Sequence, residues 1–161
     1  MAAGAALVAA CKGTPEPPLA PESRPPTSTT TDTSTVRGPV PASAGSARAS
    51  AAATPRAYRQ DGATHVYGLN AERIFKGRLP AHLYAIGVLE VDIDRTGKVS
   101  RLNWLRAPRH APEVVKEIER TVRAAAPFPV PTRLGKVTYT DTWLWHKSGK
   151  FQLDTLTEGQ D

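Results

Sequence analysis

The stretch of sequence that decides the fold runs from Gly87 to Pro131 and reads GVLEVDIDRTGKVSRLNWLRAPRHAPEVVKEIERTVRAAAPFPVP. Apolar and acidic residues alternate in its first part, which is the period of a half-buried strand. The apolar residues are Leu89, Val91 and Ile93, and the acidic residues are Glu90, Asp92 and Asp94. The residues after Ile93 have turn chemistry, because Gly97 can adopt a positive φ. The pattern therefore predicts a strand that ends in a tight turn.

A second strand and a helix follow this turn. Leu102 and Trp104 mark the strand, whereas Val99 is out of phase with them and is expected in the turn or in a β-bulge. We predict a helix over Pro112–Ala126, because the missing N–H of proline has no partner to lose in the first turn. The apolar stripe of this helix contains Val114, Val115, Ile118, Val122 and Ala125, opposite Glu113, Lys116, Glu117, Arg120 and Arg123. Three prolines then end the helix: Pro127, Pro129 and Pro131.

The last part of the chain has the pattern of a β-hairpin. Residues Val137–His146 alternate between two faces, the four residues that follow supply a turn, and Phe151–Leu156 can pair back. One face of the first strand carries Val137, Tyr139, Asp141, Trp143 and Trp145, and the other carries Thr138, Thr140, Thr142 and Leu144. Trp143 and Trp145 flank Leu144 in the sequence, so the strand carries large apolar side chains on both of its faces.

Short helical pieces are expected before the first strand. Asn70 is a candidate N-cap for a helix over Ala71–Lys76, with Gly77 after its end, and Pro80–Ala85 can form a further turn. Residues 58–67 fit either a short strand or irregular cover. Together these patterns predict an α+β domain over residues 56–161, with a small antiparallel sheet of three to four strands. One main amphipathic helix is expected on one face of that sheet.

The N-terminal third of the chain has a different composition. Residues 1–11, MAAGAALVAAC, form a short apolar run whose last four residues look like a bacterial lipobox, so Cys11 is a candidate for lipidation after signal cleavage. The alternative is an alanine-rich N-terminus with an incidental cysteine. Residues 12–55 hold nine prolines and fourteen Ser or Thr residues but no aromatic residue. Because such a composition cannot bury a core, we expect a disordered tether there.

The order of strand, Asp94-x-x-Gly97-x-Val99 turn, Leu102-x-Trp104 strand, amphipathic helix and proline-rich exit resembles the C-terminal domain of the TonB family. The resemblance covers roughly residues 74–145. It implies a periplasmic protein–protein interaction module, since TonB C-terminal domains bind a segment of an outer-membrane transporter by adding it to a sheet edge. Family members that transduce energy have an N-terminal membrane helix, whereas this chain offers a candidate lipid anchor. We therefore expect a binding module on a protein tethered to a bacterial membrane, most simply the outer one.

The resemblance points to the strand Val137–His146 as the place where the partner docks. The candidate partner-binding residues are Val137, Tyr139, Trp143, Leu144 and Trp145. The alternative is that both tryptophans belong to the core and that Leu144 is only half covered. A second function remains open, that of a structural envelope lipoprotein that packs in an envelope complex and binds no transporter. The two differ in whether Phe151–Leu156 covers the edge of the preceding strand.

Other chemistry is weakly represented in the sequence. Asp92-x-Asp94-x-Thr96-Gly97 imitates the start of a calcium-binding loop, but the position that should hold a bidentate Glu is Asn103. The four histidines lack ligand spacing, and no nucleophile motif or phosphate loop is present. The aromatic residues alternate at strand period, so they suit a core better than a nucleic-acid platform. The sequence thus predicts no enzyme, no cofactor, no metal site, no nucleic acid and no small-molecule substrate.

Overall fold

The structure is a computed structural model that describes residues 48–161 of the chain. Its strands are β1 (Ala49–Ser50), β2 (Ala85–Ile93), β3 (Val99–Arg106), β4 (Val130–Pro131), β5 (Val137–Trp145) and β6 (Phe151–Leu153). Its helices are α1 (Pro55–Leu69) and α2 (Pro112–Ala124), with single 3-10 turns at Ala71–Arg73 and Asp154–Leu156. The candidate lipidation residue Cys11 and most of the predicted tether lie outside the described residues.

Four strands form one antiparallel sheet in the order β3-β2-β5-β6. β2 pairs with β5 over all nine residues, from Ala85 opposite Trp145 to Ile93 opposite Val137. Both helices cover the same face of this sheet, because their buried residues join one core cluster with alternate residues of the strands. The predicted α+β class is therefore confirmed, with four strands and with two helices where one main helix was expected.

The helix α2 forms as its sequence predicts and ends within two residues of the expected position. Its buried residues include Val114, Ile118 and Val122, which share one side of the helix at 3/4 spacing. The predicted hairpin between β2 and β3 is also present, and Val99 opens β3 next to a shift in the strand pairing. Alternating hydrophobicity and a proline at the helix start were sufficient to locate this part of the fold.

The helix α1 was not predicted. Thr54 caps it, since its side chain accepts a hydrogen bond of 3.1 Å from the Ala57 amide, and Pro55 occupies the first turn. Its core-facing side includes Asp61, Gly62 and His65, which break the apolar stripe that identifies a helix in a sequence. At Gly62 a β-carbon would lie 3.1 Å from the Tyr139 ring, so this glycine lets α1 approach β5 closely.

Ordered structure begins earlier than the sequence indicates. β1 lies inside the segment expected to be a disordered tether, where it pairs in parallel with β4. Ser50 is fully buried, and its hydroxyl donates to the Asp61 carboxylate while its carbonyl accepts a hydrogen bond from the Thr132 hydroxyl. A pair of two-residue strands leaves no periodic pattern in a sequence.

The helix expected over Ala71–Lys76 is shortened to a 3-10 turn.

Candidate functional site

The strand predicted to bind a partner lies inside the sheet and presents two unlike faces. Val137, Tyr139, Trp143 and Trp145 point toward the helices and are at most 6 % exposed. The side chains of these four candidate residues therefore belong to the core, because α1 adds a cover that the sequence did not predict. Leu144 lies on the opposite face of the sheet and is half-buried.

Aromatic packing explains why the tryptophans are buried. The Trp143 ring lies 4.9 Å from the Phe151 ring, and the Trp145 ring stacks on Phe151 with an interplanar angle of 6°. The guanidinium of Arg73 lies over the Trp145 and Phe151 rings, 5.9 and 5.5 Å from their centroids. β6 is thus held to β5 by ring packing as well as by backbone pairing.

Asp141 is a charged residue on the buried face of β5. Its Oδ1 accepts hydrogen bonds from the amides of Thr142 (2.9 Å) and Thr155 (3.2 Å), and Arg59 lies 3.3 Å away. Its Oδ2 accepts from the hydroxyl of Tyr139 at 2.9 Å. Burial and the neighbouring Asp141 charge raise the pKa of Tyr139, so the phenol keeps its proton and remains a donor. This carboxylate fixes the point at which β6 leaves β5. The sequence could have signalled such a role, because Asp141 is the charged residue among the apolar residues on its face of the strand.

The outer edge of β5 is covered over only part of its length. β6 pairs with Trp143, Leu144 and Trp145, and then the chain turns away at Asp154. The His146 amide donates to Lys150, so strand alternation directs the backbone groups of Thr138 and Thr140 toward the same side. Within residues 48–161 these groups have no strand partner on that side. We call residues 137–141 the open edge of β5.

Polar side chains and a shallow cavity lie at the end of the sheet where β2 ends and β5 begins. Thr138 donates to Asp92 at 2.8 Å, and the Arg101 guanidinium donates to the same carboxylate at 2.7 Å. The hydrogen bonds from Arg101 and Thr138 lower the pKa of Asp92. A cavity of about 450 Å³ is lined by Pro55, Asp92, Ser100, Arg101, Lys136 and Thr138. Only Lys136, Val137 and Thr138 of this lining border the open edge, because Asp92, Ser100 and Arg101 belong to β2 and β3 on the other side of β5.

The other edge of the sheet is formed by β3 and is interrupted twice. The pairing between β2 and β3 shifts between Val88 and Leu89 and again between Asp92 and Ile93. Leu105 and Ser100 are the extra residues at these two places, as expected for β-bulges. Bulges of this kind twist an edge and hinder the addition of another strand.

The described residues include few groups arranged for other chemistry. His65 is buried and donates from Nε2 to the Ala125 carbonyl at 2.7 Å, while its Nδ1 has no partner. Burial lowers the pKa of His65, so the ring is neutral near pH 7. In residues 48–161 no group of three or more His, Cys, Asp or Glu residues is placed to hold a metal ion. Neither helix in this part of the chain is long and apolar enough to cross a membrane.

Comparisons of this chain with protein-family models, with curated proteins and with solved structures found no match.

Proposed function

We propose that this protein is a TonB-like, non-enzymatic interaction module of the bacterial periplasm that receives an extended segment of a partner protein along the open edge of β5. The observation that carries the proposal is the straight edge over residues 137–141, which has unpaired backbone groups beside a well-packed sheet. Backbone pairing supplies affinity in strand addition, and pockets for alternate side chains supply specificity. The partner we favour is an outer-membrane transporter.

The length of the open edge limits the partner segment. Five residues of extended chain span about 17 Å, so the segment would pair with residues 137–141 and end before Trp143, where β6 takes over. The part of the cavity lined by Lys136 and Thr138 would receive one of its side chains. Arg101 is paired with Asp92 in the lining of that cavity, and Lys136 also borders it, which favours a polar side chain at this position.

The second candidate function is a structural envelope lipoprotein. The observation that favours it is β6, which occupies the edge at Trp143–Trp145 and so shortens the surface available for strand addition.

In both cases we propose a lipid anchor at Cys11 on a bacterial membrane, in the first instance the outer one. Cys11→Ser should then release the protein into the soluble periplasmic fraction. Membrane association that is the same with and without Cys11 would contradict the anchor.

The test compares two substitutions at one position of the open edge. Thr140→Pro removes an amide that no other strand uses, and Thr140→Val changes the side chain while the amide stays. We expect the full chain and its Thr140→Val variant to recover an outer-membrane transporter from envelope extract, and the Thr140→Pro variant to lose it. Thermal unfolding of all three proteins checks that the fold is kept.

The outcomes separate the two functions. Recovery of a transporter by the Thr140→Pro variant at the level of the unsubstituted chain would contradict strand addition. Recovery of an envelope complex that contains no transporter, unaffected by either substitution, would favour the structural lipoprotein.

A further inference from the structure

Exposed apolar side chains are concentrated at one end of the sheet. Four large apolar residues are conspicuously exposed in residues 48–161, and three of them are Leu105 (58 %), Tyr84 (45 %) and Ile86 (37 %). Tyr84 precedes β2, Ile86 lies at its start, and Leu105 is the extra residue of the bulge near the end of β3. All three therefore lie near the end of the sheet where β2 begins and β3 ends.

Positively charged residues surround these apolar side chains. Arg106 and Arg109 are exposed in and after the end of β3, and within residues 48–161 neither has an ion-pair partner. Lys147 and Lys150 lie in the β5–β6 turn at the same end, since Trp145 pairs with Ala85. We call the end formed by Tyr84, Ile86, Leu105, Arg106, Arg109, Lys147 and Lys150 the basic tip.

A cavity within the basic tip brings apolar and cationic groups together. It has a volume of about 350 Å³, and its lining includes Tyr84, Ile86, Arg106, Arg109 and His110. His110 donates from Nε2 to the Tyr84 carbonyl at 2.8 Å, which holds the loop after β3 against the start of β2. The hydroxyl of Tyr84 donates to the Glu113 carboxylate at 2.6 Å, so that acidic group is already engaged. The cavity therefore places cationic side chains beside apolar ones.

The opposite end of the same sheet is charged but lacks exposed large apolar side chains. There Asp92 is paired with Arg101, and Asp94 accepts hydrogen bonds from the amides of its own turn. Arg95, Lys98 and Lys136 are exposed at that end and have no ion-pair partner in the described chain, but none of the four exposed large apolar residues lies beside them. Only the basic tip combines exposed aliphatic side chains with cations that lack an acidic partner in the described chain.

We propose that the basic tip docks on an anionic phospholipid bilayer. Exposed apolar side chains flanked by Lys and Arg are the combination that binds a bilayer interface, where the apolar groups enter the head-group boundary and the cations meet the phosphates. Leu105 and Ile86 supply the apolar part, and the four cations come from the end of β3, the loop that follows it and the β5–β6 turn. The charge complementarity therefore favours a lipid surface as the occupant.

This site is separate from the open edge of β5. The basic tip lies beyond the Trp145 end of β5, whereas the open edge ends at Asp141, four residues or about 13 Å before Trp145. A domain docked on lipid through its tip would keep the open edge accessible. The inference thus does not depend on the function proposed above.

The test is co-sedimentation of the full chain with lipid vesicles. The chain carries Cys11→Ser so that no acyl chain contributes, and the vesicles contain either phosphatidylcholine alone or phosphatidylcholine mixed with phosphatidylglycerol. We expect binding to the anionic vesicles only, and weaker binding as the salt concentration rises. Absence of binding to the anionic vesicles would overturn the proposal.

Two double variants with the same net charge locate the surface. Arg106→Glu with Arg109→Glu should weaken binding by at least about tenfold, whereas Arg123→Glu with Arg133→Glu should change it by less than about twofold because those exposed residues lie elsewhere. Leu105→Ser should weaken binding without any change in charge. Equal losses in the two double variants would overturn the proposal. Recovery of an acidic protein through the tip, without vesicle binding, would also overturn it.

Discussion

The two edges of the sheet differ in how well they could accept another strand. The β3 edge has a bulge near each end, at Ser100 and Leu105, and exposes Arg101 and Arg106. The β5 side has no shift in its pairing with β2, and β6 covers only its last three residues. An edge is easily extended when it is straight and its own strand is firmly held, and only β5 satisfies both conditions.

The buried face of β5 explains why its edge is firmly held. Alternate side chains of the strand are packed under α1 and α2, and Asp141 connects the strand to Arg59 and to the turn after β6. The side chains of β3 are half-buried or exposed along its whole length. A partner that pairs with β5 would thus meet a backbone that is already ordered, which lowers the entropy cost of binding.

The largest expected effect tests this difference with the same substitution in both strands. Trp143→Ala should lower the free energy of unfolding by about 3–5 kcal/mol, because the ring is 1 % exposed and packs on Phe151. Trp104→Ala in β3 should cost about 1–2 kcal/mol, since that ring is half-buried and donates one hydrogen bond to Glu119. Urea unfolding of both variants measures the contrast, and equal losses would contradict it.

The next effect concerns the carboxylate that fixes the end of β6. Asp141→Ala leaves the amides of Thr142 and Thr155 and the hydroxyl of Tyr139 without their acceptor. The expected loss is about 2–4 kcal/mol. As a control, Asp92→Ala removes an aspartate from the open face of β2 and should cost about 0.5–1 kcal/mol. Hydrogen exchange should show faster exchange in β6 of the Asp141→Ala variant, and unchanged protection there would refute the assigned role.

A smaller expected effect on stability depends on pH and concerns Asp92, whose hydrogen-bond donors come from β3 and β5. Arg101 in β3 and Thr138 in β5 both donate to Asp92, and these hydrogen bonds lower its pKa from the usual 3.8. Because the folded state holds the carboxylate ionised, this contribution is complete above the unfolded pKa and is lost as the pH falls through the lower folded value. Between about pH 5 and about pH 3, Asp92→Asn should therefore lose less stability than the unsubstituted protein. Acid-unfolding profiles that run parallel for the Asp92→Asn variant and the unsubstituted protein would contradict this prediction.

The smallest effect on stability separates two views of how β5 binds a partner. Leu144 is half-buried on the open face and lies opposite Gln152 of β6, outside the open edge. Leu144→Lys should change the free energy of unfolding by no more than about 0.5 kcal/mol. If the partner pairs with residues 137–141, its recovery should persist in this variant. Loss of recovery with an intact fold would instead support the docking role that the sequence suggests for Leu144.

The sequence predicted the part of the fold in which hydrophobicity is periodic. Val91 and Ile93 in β2 and Val114 and Ile118 in α2 follow the strand and helix periods, so these elements were predicted nearly to their ends. α1 was missed because the polar residues Asp61 and His65 occupy its core side, where each finds a buried hydrogen-bond partner only in the folded protein. The burial of Trp143 and Trp145 depends on the cover from that helix and from β6, so the sequence alone left it open.

The short pairing of β1 with β4 has a mechanical consequence. A pulling force applied to the chain before Arg48 reaches the domain first at Ala49 and Ser50, ahead of α1 and the main sheet. We expect the hydrogen bonds of Ser50 with Asp61 and Thr132, and that of Val130 with Arg48, to carry this load first, because they tie β1 to α1 and to the segment around β4. We expect these contacts to break first under tension, so that the chain lengthens while the strands of the main sheet stay paired.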